Sequence, residues 1–364
     1  MADNYIENKY EQYQIRKAAW IKSGAKKKQQ KKVAATQAVQ DSSTTLEGEK
    51  PVTEVAEAHI APAPSGCEEV RKTYMHNHVK RVVAVHDLSG AGRVSLMAVI
   101  PILSTMGIQV CPLPTAVLSA HTQYPYYSFL DLTEEMKNII SNWEKLNMKF
   151  DTFYTGYLGS PQQVKIVEDF ICKFRRPQDM VVVDPVLGDN GNLYKGITEE
   201  MVTEMKKLIK YADVITPNMT EVFRLLDIDY KTDVSTREMK SYLKQLSDAG
   251  PDIVIATSVP VEGNPHATSV YAYNRHGDRY WKVTCPYLPA HYPGTGDTFT
   301  SVITGSLMQG DSLPIALDRA SQFILQGIRA TFGYEYNNLD GIMLEKILHN
   351  LDMPIQISSY EVLE

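Results

Sequence analysis

From Val79 onward, short β-branched runs alternate with stretches of helical period, the texture of an α/β chain. The run Lys80-Arg81-Val82-Val83-Ala84-Val85-His86 leads into the turn Asp87-Leu88-Ser89-Gly90-Ala91-Gly92 and then into a helix over 95–106. A continuous apolar strand feeding a glycine turn and a helix is a βα unit whose strand is covered on both faces. The same reading predicts strands over 108–112, 152–157, 180–183, 214–216 and 253–256, and helices over 133–146, 161–174, 199–212, 218–226 and 235–249. Residues 268–274 and 279–284 read as a hairpin turning at Arg275-His276-Gly277-Asp278, and helices from Thr298, Leu313 and Asp340 close the chain. Such alternation predicts a mostly parallel sheet with helices on both faces, its ligands bound beyond the carboxyl ends of the strands.

Residues 1–78 break the pattern. Positions 5–32 are helix-compatible and strongly charged, ending in Lys26-Lys27-Lys28-Gln29-Gln30-Lys31-Lys32, and 34–65 are rich in Ala, Thr, Ser, Glu and Pro. A stretch with so little apolar surface does not offset its ordering entropy. The expectation is a flexible N-terminal extension over 1–78, a charged helix plus linker, with Met75 near the start of a folded domain over 79–364. The basic run reads as a solvated face.

Composition narrows the function classes. Hydrophobic content of 43%, charged content of 22% and a net charge of −6 over 364 residues are those of a soluble globular protein, and the acidity argues against a nucleic-acid partner. No run approaches 18 apolar residues, and Met1-Ala2-Asp3-Asn4-Tyr5 lacks a secretory layout, so a cytoplasmic protein without a membrane partner is expected. Cys67, Cys111, Cys172 and Cys285 form no metal-ligand spacing. They read as reduced thiols, with Cys111 and Cys172 in strand or helix cores.

The candidate chemistry starts at Gly294-Thr295-Gly296-Asp297. Backbone amides at a helix start lack internal partners and carry partial positive charge, so the glycine turn can face a phosphate with Asp297 beside it. Strand 180–183 runs into Asp184-Pro185-Val186-Leu187-Gly188-Asp189, two carboxylates of the hard-oxygen kind that suits Mg²⁺, or else a turn cap and a solvated acid. Asn190-Gly191-Asn192-Leu193-Tyr194 reads as a polar flap. After strand 214–216, Asn218 and Glu221 have the spacing of a capping box, and the same two residues are also placed to face phosphates through water and metal. No Walker loop occurs, and Gly90-Ala91-Gly92 lacks the third glycine of a dinucleotide site. His86, His121 and His291 have no nucleophile in an identifiable elbow and read as satisfied polar residues.

In order along the chain, Val85-His86-Asp87-Leu88-Ser89-Gly90-Ala91-Gly92, Ser119-Ala120-His121-Thr122-Gln123-Tyr124, Gly156-Tyr157-Leu158-Gly159-Ser160, the Asp184 to Asp189 segment, Thr216-Pro217-Asn218 with Glu221, and Gly294-Thr295-Gly296-Asp297 resemble the ribokinase-like superfamily. Within it they resemble the pyridoxal, pyridoxine and pyridoxamine kinases. The resemblance covers residues 79–351 and implies an α/β fold, a ribokinase-like three-layer α/β/α sandwich with a central mostly parallel sheet. It implies transfer of the ATP γ-phosphate to the 5′-hydroxymethyl group of a B6 vitamer, with Asp297 as general base and the amides of Gly294, Thr295 and Gly296 steadying the moving phosphoryl group. By the same resemblance, Asp184, Asp189, Asn218 and Glu221 hold metal and phosphates, Asp184 and Glu221 being the Mg²⁺ residues, and Gly296, Thr257 and Ser258 meet the nucleotide.

On the vitamin side, Ser89, Thr122 and Tyr157 match positions that contact the ring. Asp87 stands where many pyridoxal kinases carry serine and resembles the opening of the pyrimidine kinases. A carboxylate there favours cationic pyridoxamine or a protonated ring nitrogen. The flap, 189–196, carries no cysteine. A homodimer and a monovalent cation such as K⁺ are further implications. Two alternatives stay open: a hydroxymethylpyrimidine (phosphate) kinase of thiamine synthesis, and a non-catalytic vitamer-binding protein, against which the intact Asp297 and its glycine turn stand.

Overall fold

Alternating side chains along the central strands supply two cores at once. In strand β1 (Arg81–Ser89), Val83 and Val85 belong to one buried cluster and Val82 and Ala84 to the other, so every residue from Val82 to Val85 is buried. The computed structural model describes residues 79–353 and 359–364. The expected N-terminal arm, with its basic run, Met75 and Cys67, lies outside the described residues.

After β1 come α1 (Leu96–Thr105), β2 (Gln109–Leu118), β3 (Phe129–Asp131), α2 (Thr133–Lys145), β4 (Thr152–Thr155), α3 (Pro161–Phe174) and β5 (Met180–Val183). The two-residue strands β6 (Gly188–Asp189) and β7 (Asn192–Leu193) follow, then α4 (Glu199–Leu208), β8 (Val214–Ile215), α5 (Met219–Leu226), α6 (Thr236–Asp248) and β9 (Ile253–Val261). The chain ends with β10 (Asn264–Asn274), β11 (Arg279–Pro286), α7 (Thr295–Gln309), α8 (Leu313–Phe332) and β12 (Tyr360–Leu363).

Ten strands form one sheet in the order β12-β11-β10-β9-β8-β5-β4-β1-β2-β3. The stretch from β9 to β2 is parallel throughout, and antiparallel strands flank it on both sides. Helices α2 to α6 contribute to one core, and α1, α7 and α8 to the other, giving three layers. No helix among the described residues is long and apolar enough to cross a membrane.

Several predicted boundaries move. β1 runs through Asp87 to Ser89 rather than turning at Asp87, because Leu88 and Ser89 pair with Val117 and Leu118 after a register shift at His86. β2 continues past Pro112 and Pro114, which sit where it has no second neighbour, since β3 pairs only with Ala116 to Leu118. β9 extends to Val261 because it is half of a hairpin with β10, so Thr257 and Ser258 lie inside the strand rather than after it. The helix expected from Asp340 is instead three 3₁₀ turns, Asn338–Asp340, Leu344–Lys346 and Leu348–Asp352, interrupted by Gly341 at φ 77°. Cys111 is buried as expected, whereas Cys172 is exposed on α3.

Candidate active site

The parallel strands β1, β4, β5 and β8 end beside one another, and the N-terminus of α7 faces their ends. That approach depends on Gly294, the N-cap of α7, which adopts φ 82°; a Cβ there would stand 2.0 Å from the carbonyl oxygen of Arg93. The helix therefore starts three residues earlier than the sequence reading placed it. Gly296 is helical rather than part of the turn, and Asp297 occupies the third helical position.

Asp297 is gripped from the β1–α1 loop. Its Oδ2 accepts the backbone amide of Ser95 at 2.8 Å, and its Oδ1 lies 3.7 Å from Nδ1 of His86. The carboxylate side chain is 14% exposed, so it keeps an open edge. His86 is fully buried, edge-on to Tyr154 with ring centroids 4.5 Å apart. It rests against Gly156, where a Cβ would come within 2.2 Å of its Nδ1, which gives the Gly156-Tyr157 motif its physical reason. Neither ring nitrogen of His86 has a hydrogen-bond partner among the described residues, so it is not the satisfied polar residue expected from sequence. The Tyr154 hydroxyl donates to the backbone carbonyl of Asp297 at 3.2 Å.

Near the end of β1, the Asp87 carboxylate is 5% exposed and turned inward. Its Oδ2 accepts the Ser89 hydroxyl at 2.8 Å and its Oδ1 the Ser95 hydroxyl. Burial pushes the Asp87 carboxyl up; the two hydroxyls oppose this and nearby Asp297 adds to it. The carboxylate that the sequence offers to the vitamin is thus already held by two serines. Burial first, then the charge of Asp87, pushes the Tyr157 phenol up. Among the described residues, no hydrogen bond draws Thr122 into this group. The turn carrying it is anchored elsewhere, through His121 Nε2 to the Leu339 carbonyl at 2.6 Å and Tyr124 to the Asp340 carboxylate.

Just past the end of β5, Asp184 is 6% exposed, and a Cβ on Gly296 would lie 3.9 Å from its Oδ2. The Thr300 hydroxyl donates towards Asp184 Oδ2 (3.3 Å) and Thr216 Oγ1 (2.9 Å). Burial first, then Glu221 and Asp297, pushes the Asp184 carboxyl well up. Asn218 and Glu221 form the capping box: Glu221 Oε2 accepts the Asn218 amide at 2.8 Å, and Asn218 Oδ1 accepts the Glu221 amide at 3.1 Å. Glu221 Oε1 also accepts the Leu187 amide at 2.9 Å, and Asn218 Nδ2 donates to the Gly188 carbonyl at 2.8 Å. Burial pushes the Glu221 carboxyl up to about 7 against these backbone bonds.

The Glu221 carboxylate, expected at the metal, therefore has each oxygen on a backbone amide. Asp189 folds onto Asn190, accepting its amide at 2.8 Å. The expected loose flap is the β6–β7 hairpin, tied to α5 by the Gly191 amide donating to Thr220 Oγ1 at 2.9 Å. Thr257 abuts this region, its amide donating to the Pro217 carbonyl at 2.9 Å, and Ser258 next to it has φ 57°.

Sequence reading missed His86, Ser95, Tyr154, Thr216 and Thr300 as parts of this cluster. Thr300 carried a local signal, lying three residues after Asp297 on the same helix. His86 and Ser95 carried none, since their partner is more than 200 residues away in the chain.

The phosphomethylpyrimidine kinase family model matches residues 90–340. A Bacteroides thetaiotaomicron protein provisionally assigned as a phosphomethylpyrimidine kinase, and crystallised with pyridoxal, is 72% identical, covers 79% of this chain and 100% of its own, and superposes with a TM-score of 0.77. The pyridoxal kinase of Lactobacillus plantarum is 29% identical over 75% of this chain and 97% of its own, with a TM-score of 0.70. The pyridoxal kinase of Arabidopsis thaliana is 27% identical over 256 residues, 69% of this chain and 80% of that protein.

Proposed function

Since the chain belongs to the phosphomethylpyrimidine kinase family, we propose that this kinase transfers the γ-phosphate of ATP to the 5′-hydroxymethyl group of a vitamin B6 vitamer. The observation that carries the reading is the position of Asp297. It sits in the first turn of a helix whose N-cap offers no side chain, with Asp184 on one side and the Asp87–Tyr157 group on the other. Asp297 accepts the proton of the vitamer hydroxyl as that oxygen attacks phosphorus. The amides of Gly294, Thr295 and Gly296 stabilise the charge on the phosphoryl oxygens, and positioning does most of the remaining work. Thr257 and Ser258 flank the nucleotide, and Ser89, Thr122 and Tyr157 face the vitamin.

The residues fit a magnesium ion of the kind that keeps water and phosphate oxygens as most of its ligands. Asp184 and the hydroxyls of Thr216 and Thr300 are an all-oxygen donor set. No cage of three or more His, Cys, Asp or Glu side chains exists among the described residues. Asp184 would hold the ion, with Glu221 and Asp189 contributing negative charge around it. When bound, the ion neutralises phosphate charge. The same reading extends to K⁺ as a monovalent activator, to a homodimer and to a cytoplasmic location.

A hydroxymethylpyrimidine kinase is the second reading, supported by Asp87 in place of serine. Turnover with ATP and Mg²⁺ on pyridoxal, pyridoxamine and hydroxymethylpyrimidine separates the two. Faster phosphorylation of a B6 vitamer is expected, and faster phosphorylation of the pyrimidine would overturn the assignment.

A further inference from the structure

Ser95 stands out in backbone conformation and in partners. At φ 48° and ψ −133° it sits where glycine is favoured and a side chain is strained. It follows Val94 in a tight turn, closed by the Met97 amide donating to the Val94 carbonyl at 3.0 Å, that launches α1. Glycine would make this turn without strain and would still present the amide that holds Asp297. What glycine lacks is the hydroxyl, and that hydroxyl is bonded to Asp87 Oδ1 inside the protein, with Ser95 only 5% exposed.

We propose that Ser95 is a positioning residue that fixes two carboxylates from one backbone unit, Asp297 through its amide and Asp87 through its hydroxyl. It sets the distance and orientation between the base and the neighbouring acid. The other partner of Asp87, Ser89, lies on β1 and makes no bond to Asp297, so it cannot couple the two. Without the Ser95 hydroxyl, one oxygen of a buried carboxylate loses its donor beside a second carboxylate, and Asp87 must rotate or take up a proton. Either response shifts the surface that orients the vitamer hydroxyl towards Asp297, and misplacement of about 1 Å at a reacting centre is expensive in rate.

The inference rests on the reading of Asp297 as base, and its test keeps the two apart. Ser95→Gly in the full chain removes the hydroxyl while relieving the backbone. Its melting temperature is expected to equal or exceed that of the wild type, while kcat for pyridoxal falls about tenfold, the worth of one buried hydrogen bond to a charged group, with KM for ATP unchanged. Ser95→Ala should show the same kcat loss at a lower melting temperature than the glycine variant. Adding Asp87→Asn to Ser95→Gly should cost little more than the larger single effect, because both changes act on one bond.

A Ser95→Gly enzyme with kcat within twofold of wild type, or one whose kcat loss accompanies a fall in melting temperature, overturns the proposal. So do fully additive losses in the double variant. Turnover retained by Asp297→Asn would overturn the base assignment, and the inference with it. An inactive Asp297→Asn beside a fully active Ser95→Gly would overturn the inference alone.

Discussion

Helices α5 and α7 both begin at the ends of the parallel strands, and both carry an acidic residue at their third position, yet the two starts differ. In α5, Glu221 folds back to the amide of its own N-cap, and Asn218 returns the bond, so the start is closed by its own side chains. In α7 the N-cap is Gly294, which offers no side chain, and Asp297 reaches away from its own helix to the amide of Ser95. The first leaves its acidic residue locked into structure; the second leaves free amides beside a partly exposed carboxylate. A capping box makes a helix start stable, and its absence makes one available. A like difference shows in burial, since Glu221 is 3% exposed with both oxygens bonded while Asp297 keeps an open edge.

The sharpest test of this contrast is Asp297→Asn. Turnover should fall by about 10³-fold, in the range a positioned general base supplies, with ATP binding retained in a calorimetric titration. If only the melting temperature changed, α7 would be a structural start like α5. Next comes Gly294→Ala, which sets a Cβ against the Arg93 carbonyl at a left-handed φ. A loss of more than ~2 kcal/mol in urea unfolding is expected, together with loss of turnover. Gly310→Ala, at φ 96° with no atom within 4 Å, supplies the same backbone change without the clash and should cost less.

Asn218→Ala removes the cap of α5. It should lower stability by ~1 kcal/mol and change kcat by less than about tenfold; a collapse of turnover would mean that α5 is as reactive as α7.

The remaining test is in pH. Folding raises the Glu221 carboxyl from its ordinary 4.5 to about 7 through burial. The folded state therefore holds a proton that the unfolded state has released, so this group lowers stability progressively as pH rises from about 4.5 to about 7 and no further above that. Chemical denaturation across pH 4 to 8 should show this decline in the wild type and a flatter profile in Glu221→Gln. An unchanged profile would mean that Glu221 is already ionised in the fold.

Much of this was legible in local spacing. β5 and α3 fall within the bounds read from periodicity, and the Asn218–Glu221 capping box is visible as residues three apart. The open question at that pair, structural cap or phosphate ligand, could not be settled from spacing, because both readings use the same two residues. The structure shows the capping box, with added bonds from Leu187 and to Gly188 that staple the Asp184 to Asp189 segment onto α5. Edge strands β3 and β12 went unseen for a related reason. Both are exposed along nearly their whole length, so they lack the continuous apolar run that marks β5, and their pairing partner is chosen by the sheet.

Asp87 shows the limit most clearly. From the sequence it is expected to face the vitamin; in the fold its oxygens accept from Ser89 and Ser95. The sequence by itself determined the alternation of elements, the glycine turn ahead of α7 and the Asn218–Glu221 spacing, because these depend on residues within three or four positions. Only the tertiary structure decided what each carboxylate holds. Donors such as Ser95 and neighbours such as His86 are brought to Asp297 by the order of strands in the sheet, and no local pattern encodes that order.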